Sequence, residues 1–119
     1  MTGTRNSVSL RTMSHIIVFC TCPIGESSRR IAEILVQEKL AACVNIIAGI
    51  QSVYTWQGAT SVGDEQLLLI KTRADKYPEI EARLKALHPY ELPEIVAVSL
   101  DTALPAYLKW IDDAVKKNE

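Results

Sequence analysis

The longest apolar stretch of the chain runs from Leu40 to Trp56 and is rich in β-branched and aromatic residues. This composition favours a β-strand over a surface helix. Gly49 within the stretch predicts a bulge, a bend or a close backbone approach in that strand. A strand of this length extends beyond what one small sheet can cover. Its far end, where Tyr54 and Trp56 share one face, is therefore predicted to contact another copy of the chain.

Shorter patterns predict the remaining elements. Apolar runs indicate three further strands, and apolar residues spaced three or four positions apart indicate three helices. The strands are predicted at residues 15–21, 64–72 and 94–100. The helices are predicted to begin at Glu26, at an N-cap Asp75, and at an N-cap Asp101 or Thr102. A polar connection at residues 58–63 is short enough for a hairpin between the second and third strands.

The predicted order β-α-β-β-α-β-α indicates an α+β fold, a ferredoxin-like βαββαβ sandwich with a C-terminal helix. Right-handed crossovers place both main helices on one face of a four-stranded sheet. The third helix covers part of the other face. Subunit contacts are predicted to cover the rest through the aromatic residues Tyr54, Trp56, Tyr107 and Trp110. The domain is predicted at residues 15–119, after a disordered tail at residues 1–14 that has no Asp or Glu.

The composition excludes several classes of protein. A chain of 119 residues, 48% of them hydrophobic and 23% charged, fits one globular domain. The net charge of −1 gives no basic field for nucleic acid or an anionic membrane. No apolar run approaches the roughly 20 residues of a membrane helix. Three Cys without the spacing of a disulfide framework indicate a reducing, cytoplasmic location.

Cys20 and Cys22 end the first predicted strand with one residue between them. Strand alternation places both thiols on the same side, where they could bind a soft metal such as Cu(I) or Zn. The alternative is that Cys20 is a small core residue and Cys22 a loop residue. A lone C-x-C favours this alternative, since zinc sites more often have wider pairs and a second pair elsewhere.

His88 and Glu91 stand close together in a stiff, proline-rich segment after the second helix. They offer nitrogen and oxygen ligands, and a ferredoxin-like order places the strand that follows them beside the first strand. The sequence leaves open whether His88 reaches Cys20 within one subunit. The alternative is that His88 only ends the helix, where a cation is favourable.

The segment Lys71-Thr72-Arg73 could bind an anion, although a solvated strand end is the simpler interpretation. No Gly-rich phosphate loop and no Ser-His-Asp or Cys-His catalytic signature occurs in the sequence. The chain is therefore predicted not to be an enzyme.

Six blocks of the sequence resemble the CutA family of divalent-cation tolerance proteins. They are Thr21–Pro23, Lys39–Ile46, Ser52–Gly58, Ile70–Thr72, His88–Ile95 and Tyr107–Trp110. The resemblance implies a ferredoxin-like subunit in a tight homotrimer, in which long hairpins extend the sheets between subunits. It also implies a non-enzymatic function in binding, or responding to, copper or another divalent cation.

The resemblance places the copper ligands of the family on Cys20 and His88. Some relatives have two consecutive His where this chain has Leu87-His88, so Cys22, Glu91 or a residue of a neighbouring subunit would complete the set. The alternative function is that of a trimeric signalling or scaffold protein similar to the nitrogen-regulatory PII proteins. Such a protein would bind a small molecule or a partner in clefts between subunits, near Lys71-Thr72 and Tyr90-Glu91.

Overall fold

The computed structural model describes residues 14–117. Its elements are β1 (His15–Pro23), α1 (Ser27–Gln37), β2 (Cys43–Trp56), β3 (Ala59–Arg73), α2 (Tyr77–Leu87), β4 (Val96–Ser99) and α3 (Pro105–Val115), with a 3-10 turn (Ala74–Lys76) before α2. The predicted tail lies outside the described residues except for Ser14, whose carbonyl accepts a 2.8 Å hydrogen bond from the Ala74 N–H. Within residues 14–117, no helix is long and apolar enough to cross a membrane.

The four strands form one sheet in the order β2-β3-β1-β4, and every neighbouring pair is antiparallel. This confirms the predicted α+β fold and places β4 beside β1, as expected. β1 pairs with β3 along its whole length, but with the short β4 only from Ile16 to Phe19. Among residues 14–117, no strand therefore pairs with the last residues of β1, from Cys20 to Pro23, on the β4 side.

The main core lies between the sheet and the helices α1 and α2. Alternate residues of β1 and β3 are buried against apolar side chains of both helices, which therefore cover the same face of the sheet. α3 lies on the opposite face. There the Lys71 Nζ is 5.8 Å from the centre of the Tyr107 ring, and a second cluster joins Ala42 to Ile111 and Val115.

The hairpin between β2 and β3 is longer and tighter than predicted. The predicted connection at residues 58–63 is wrong, because a two-residue turn, Gln57-Gly58, joins strands that pair from Trp56 and Ala59 onwards. Gln57 and Gly58 have φ of 51° and 80°, as a two-residue turn of the primed type requires. Gly49 has φ of 77° and lies at a shift in register, which confirms the predicted bulge.

Two predicted helix caps are wrong. Asp75 lies in the 3-10 turn, where its carboxylate accepts hydrogen bonds of 2.9 and 3.0 Å from the Arg73 guanidinium. α3 begins after Leu104 rather than after Asp101 or Thr102, and it has a proline in its first turn. Proline needs no N–H partner there, so this helix start has less need of a side-chain cap.

A candidate metal site of two thiols and an imidazole

Cys20 and Cys22 lie where β1 continues past the end of β4. β1 extends to Pro23, so the prediction that Cys22 is a loop residue is wrong. Both cysteine side chains are 0% exposed and belong to the core beneath the helices. The two thiols therefore lie on the same, inner side of the strand.

His88 follows the last residue of α2. Its backbone is extended, with φ of −75° and ψ of 138°, since Pro89 disfavours the helical conformation in the residue before it. The imidazole is buried, and its Nε2 lies 2.7 Å from the Thr21 carbonyl oxygen and 3.7 Å from the Cys22 Sγ. His88 thus reaches β1 within one subunit, which the sequence had left open.

The ligand atoms of Cys20, Cys22 and His88 all lie within 4.8 Å of one another. Strand β1 supplies both sulfur atoms, and the end of α2 supplies the nitrogen. The resemblance pointed to Cys20 and His88, with Cys22 as one possible addition. The structure brings these three residues together.

The hydrogen bonds of His88 define its protonation. The Nδ1 atom accepts a 3.0 Å bond from the Tyr90 N–H, while Nε2 faces the Thr21 carbonyl, which can only accept. The ring is therefore neutral, with its proton on Nε2. Thr21 lies beyond the residues that pair with β4, so the imidazole satisfies a buried carbonyl that has no strand partner on that side.

The two thiols differ in acidity. A hydrogen bond with Cys22, together with burial, raises the pKa of Cys20 far above its usual value. The same hydrogen bond lowers the pKa of Cys22, against the opposing effect of burial. Of the two thiols, Cys22 is therefore the first to become a thiolate, while the Cys20 thiol lies 3.9 Å from the Thr21 carbonyl, to which it can donate. Metal ligation requires the thiolate form.

Tyr90 connects the site to the β2–β3 hairpin. Its hydroxyl donates a 2.8 Å hydrogen bond to one Glu65 oxygen, and the Ser52 hydroxyl donates a 2.5 Å bond to the other. Burial and the bond to Glu65 raise the pKa of Tyr90 to about 12. A continuous set of hydrogen bonds thus runs from the Thr21 carbonyl through His88 and Tyr90 to the hairpin.

Glu91 lies apart from the thiols. It lines an open groove on the outer side of β1, together with Thr21, Tyr90, Glu94 and residues of the hairpin. Among the described residues, the group that brings Cys20, Cys22 and His88 together does not include Glu91. As a fourth ligand, Glu91 stays a prediction.

The residues of the candidate anion-binding segment, Lys71-Thr72-Arg73, contact other residues of the same subunit. The buried Thr72 hydroxyl donates a 2.7 Å bond to the Leu40 carbonyl, Lys71 lies over the Tyr107 ring, and Arg73 pairs with Asp75. The predicted interface residues Tyr54, Trp56 and Trp110 are exposed in the single subunit.

Sequence reasoning missed the partners of His88. They are the Thr21 carbonyl and the Tyr90 N–H, and backbone groups leave no signal in a pattern of side chains. The proline after His88 gives the one indirect signal, because it turns the chain out of the helix at that residue.

Residues 16–114 match the family model described as CutA1 divalent ion tolerance protein. The chain is similar to the divalent-cation tolerance protein CutA of Thermus thermophilus, with 47% identity over 80% of this chain and 92% of that protein. It is 38% identical to the chloroplastic protein CutA of Arabidopsis thaliana over 94% of this chain, but spans only 62% of that protein.

Solved structures agree with these sequence matches. The structure of CutA from Xylella fastidiosa has a TM-score of 0.84 and 45% identity, over 87% of this chain and 99% of that one. The periplasmic divalent cation tolerance protein CutA of Archaeoglobus fulgidus has a TM-score of 0.83 and 38% identity, over 86% and 99%. The family model and the proteins of Thermus thermophilus and Archaeoglobus fulgidus are named for tolerance to divalent ions, and none of the names is that of an enzyme.

Proposed function

Because the chain belongs to the CutA1 divalent ion tolerance family, we propose that it is a non-enzymatic metal-binding protein of a metal-tolerance response, with copper as its ion. The observation that carries the proposal is the convergence of Cys20, Cys22 and His88 within 4.8 Å. In this proposal Cys22 provides the ligand for which some relatives have a second His.

The chemistry of the donor set fits copper in its reduced form. Thiolates and imidazole are ligands that suit Cu(I), whereas carboxylates and carbonyls suit harder ions such as Mg²⁺ and Ca²⁺. All three side chains are buried, and such a site favours a soft ion over a strongly hydrated one. The lowered pKa of Cys22 supports ligation, since this thiol loses its proton more readily than an ordinary cysteine.

The alternative of a PII-like signalling or scaffold protein has no specific support. The family, and the similar protein of Thermus thermophilus, are named for divalent-cation tolerance. Lys71 and Thr72, two of the residues on which that alternative relied, are engaged with Tyr107 and Leu40 of the same subunit.

The proposal includes a homotrimer in a reducing, cytoplasmic compartment. The hairpin supports assembly, since β2 and β3 remain paired up to Trp56 and Ala59, whereas β1 pairs with β3 no further than Glu65. The exposed Tyr54, Trp56 and Trp110 supply apolar surface for contact with another copy. The reducing location is supported by three free cysteines, of which two are ligands in this proposal.

Anaerobic titration with Cu(I) against a competing chelator tests the metal site. We expect one Cu(I) per subunit for the wild type, with weaker binding by Cys20→Ser, Cys22→Ser and His88→Ala. Changes outside the ligand shell already cost about 10–100-fold in affinity, so loss of a ligand should cost at least about tenfold.

The matched control is Cys43→Ser, which removes the third free thiol, outside the group of three ligands. Its Cu(I) affinity should equal that of the wild type. If Cys43→Ser lost binding as strongly as Cys22→Ser, or if no single variant weakened binding, the proposed ligand set would be wrong.

A further inference from the structure

The two hydrogen bonds of His88 have a consequence for any ion that binds beside it. We propose that metal coordination by His88 and anchoring of the segment Pro89–Pro93 exclude each other, so that occupancy of the site releases this segment. The inference rests on the proposed function, because it concerns the regulation of the same site.

The first step concerns the lone pairs of the imidazole. A neutral imidazole has one N–H and one nitrogen lone pair in the plane of the ring. In His88 the Nδ1 lone pair accepts from the Tyr90 N–H at 3.0 Å. The Nε2 proton points to the Thr21 carbonyl at 2.7 Å. No lone pair is left for a metal ion, although Nε2 is 3.7 Å from the Cys22 Sγ.

The second step compares the two ways of freeing a lone pair. Coordination through Nε2 requires its proton to leave and Nδ1 to become the protonated nitrogen. The Nδ1–H and the Tyr90 N–H would then be two donors facing each other, so their hydrogen bond is lost. Coordination through Nδ1 displaces the Tyr90 N–H directly. Both routes therefore break the bond between Tyr90 and the ring.

The third step concerns the effect of losing this hydrogen bond on the residues around Tyr90. His88 holds the segment after α2 through its bond to the Tyr90 N–H and through a tilted ring contact with Tyr90, at 4.8 Å between the ring centres. The same residue bonds through its hydroxyl to Glu65 of the hairpin, and Tyr90, Glu91 and Leu92 line the groove beside that hairpin. Release of the segment changes this groove, which lies on the outer side of β1. Binding of a metal ion by the buried residues thereby changes the shape of the protein surface.

The test follows the proton of His88 in the full-length protein. Nitrogen NMR of the imidazole assigns the tautomer in the metal-free form and after addition of Ag(I), a soft ion without redox chemistry that stands in for Cu(I). We expect the proton on Nε2 without metal and on Nδ1 with Ag(I). Hydrogen exchange of the Tyr90 amide should accelerate in parallel. His15, whose Nε2 lies 2.8 Å from an Asp112 oxygen, is the internal control and should not change.

Two results would overturn the coupling without affecting the proposed function. One is an Nδ1–H tautomer in the metal-free protein. The other is Ag(I) uptake with an unchanged tautomer and a protected Tyr90 amide. Uptake is measured separately by titration, and its complete absence would overturn the proposed function and the coupling together. The two kinds of failure are therefore distinguishable.

Discussion

At the scale of single residues, His88 serves the fold and the candidate site at once. It satisfies the buried Thr21 carbonyl and holds the Tyr90 N–H, which are structural roles. Cys20 likewise is both a core residue and a candidate ligand. The core interpretation and the metal interpretation, which the sequence presents as alternatives for Cys20, are therefore compatible in the folded chain.

Tyr90 gives a prediction about alkaline stability. Burial and the bond to Glu65 raise its pKa from 10.0 to about 12. A group with a raised pKa contributes stability that is complete below the unfolded value and is lost as the pH rises through the folded value. The free energy of unfolding should therefore fall between pH 10 and about 12, partly through Tyr90.

The matched variant is Tyr90→Phe, which keeps the ring and removes the hydroxyl. Urea unfolding at a series of pH values and at fixed protein concentration measures the effect. The difference in stability between wild type and variant should shrink as the pH rises across this window. A difference that stayed constant would show that Tyr90 ionises alike in the folded and unfolded chains.

At the scale of elements, the sequence predicts best the segments that bury their own apolar residues. β1, α1 and α2 have clear patterns of this kind, and each is present. The first part of β3, from Ala59 to Gly63, is polar and glycine-containing, and the sequence predicts a loop there. It is a strand because its backbone pairs with β2, not because it is buried, so its own side chains carry little signal.

Gly49 provides a prediction about the bulge in β2. Its φ of 77° is a conformation that L-residues with a side chain rarely adopt, and a Cβ added there meets no atom within 4 Å. Gly49→Ala should therefore destabilise the protein by about 1 kcal/mol through backbone strain alone. Urea unfolding at fixed protein concentration measures this cost.

Gly63→Ala is the control for that experiment. Gly63 lies in β3, and a Cβ there would only make ordinary contacts of 3.7 Å with the Tyr54 ring. This variant should be neutral or slightly stabilising, because alanine restricts the unfolded chain more than glycine does. A loss at Gly63 as large as the loss at Gly49 would indicate that the backbone conformation of the bulge is not the cause.

At the scale of the whole molecule, the site depends on contacts between segments that are far apart in the sequence. The sequence predicts Cys20 and Cys22 on one side of a strand and His88 at the end of a helix. Their meeting depends on how far β4 extends along β1, since the imidazole occupies the side of β1 that a longer β4 would cover. That length is set by pairing between distant parts of the chain.

The prediction about assembly rests on the part of the β2–β3 hairpin that extends past the end of β1. Val53 and Val62 face each other on one side of this two-stranded ribbon and are 67% and 62% exposed. Strand alternation places Tyr54 and Trp56 on the other side, where they too are exposed. A two-stranded ribbon is at best marginally stable in water by itself, so one with apolar residues on both faces requires cover on both.

Insertion between two other copies of the chain provides such cover and favours the trimer. Light scattering should therefore give a wild-type mass of three chains. Trp56→Glu should shift this mass toward one chain, because it places a charge in a contact that excludes water. Val36→Glu is the control, since Val36 is an exposed apolar residue on α1, and its mass should stay that of the wild type. A monomeric wild type, or dissociation by Val36→Glu but not by Trp56→Glu, would show that the ribbon is not the surface that joins the subunits.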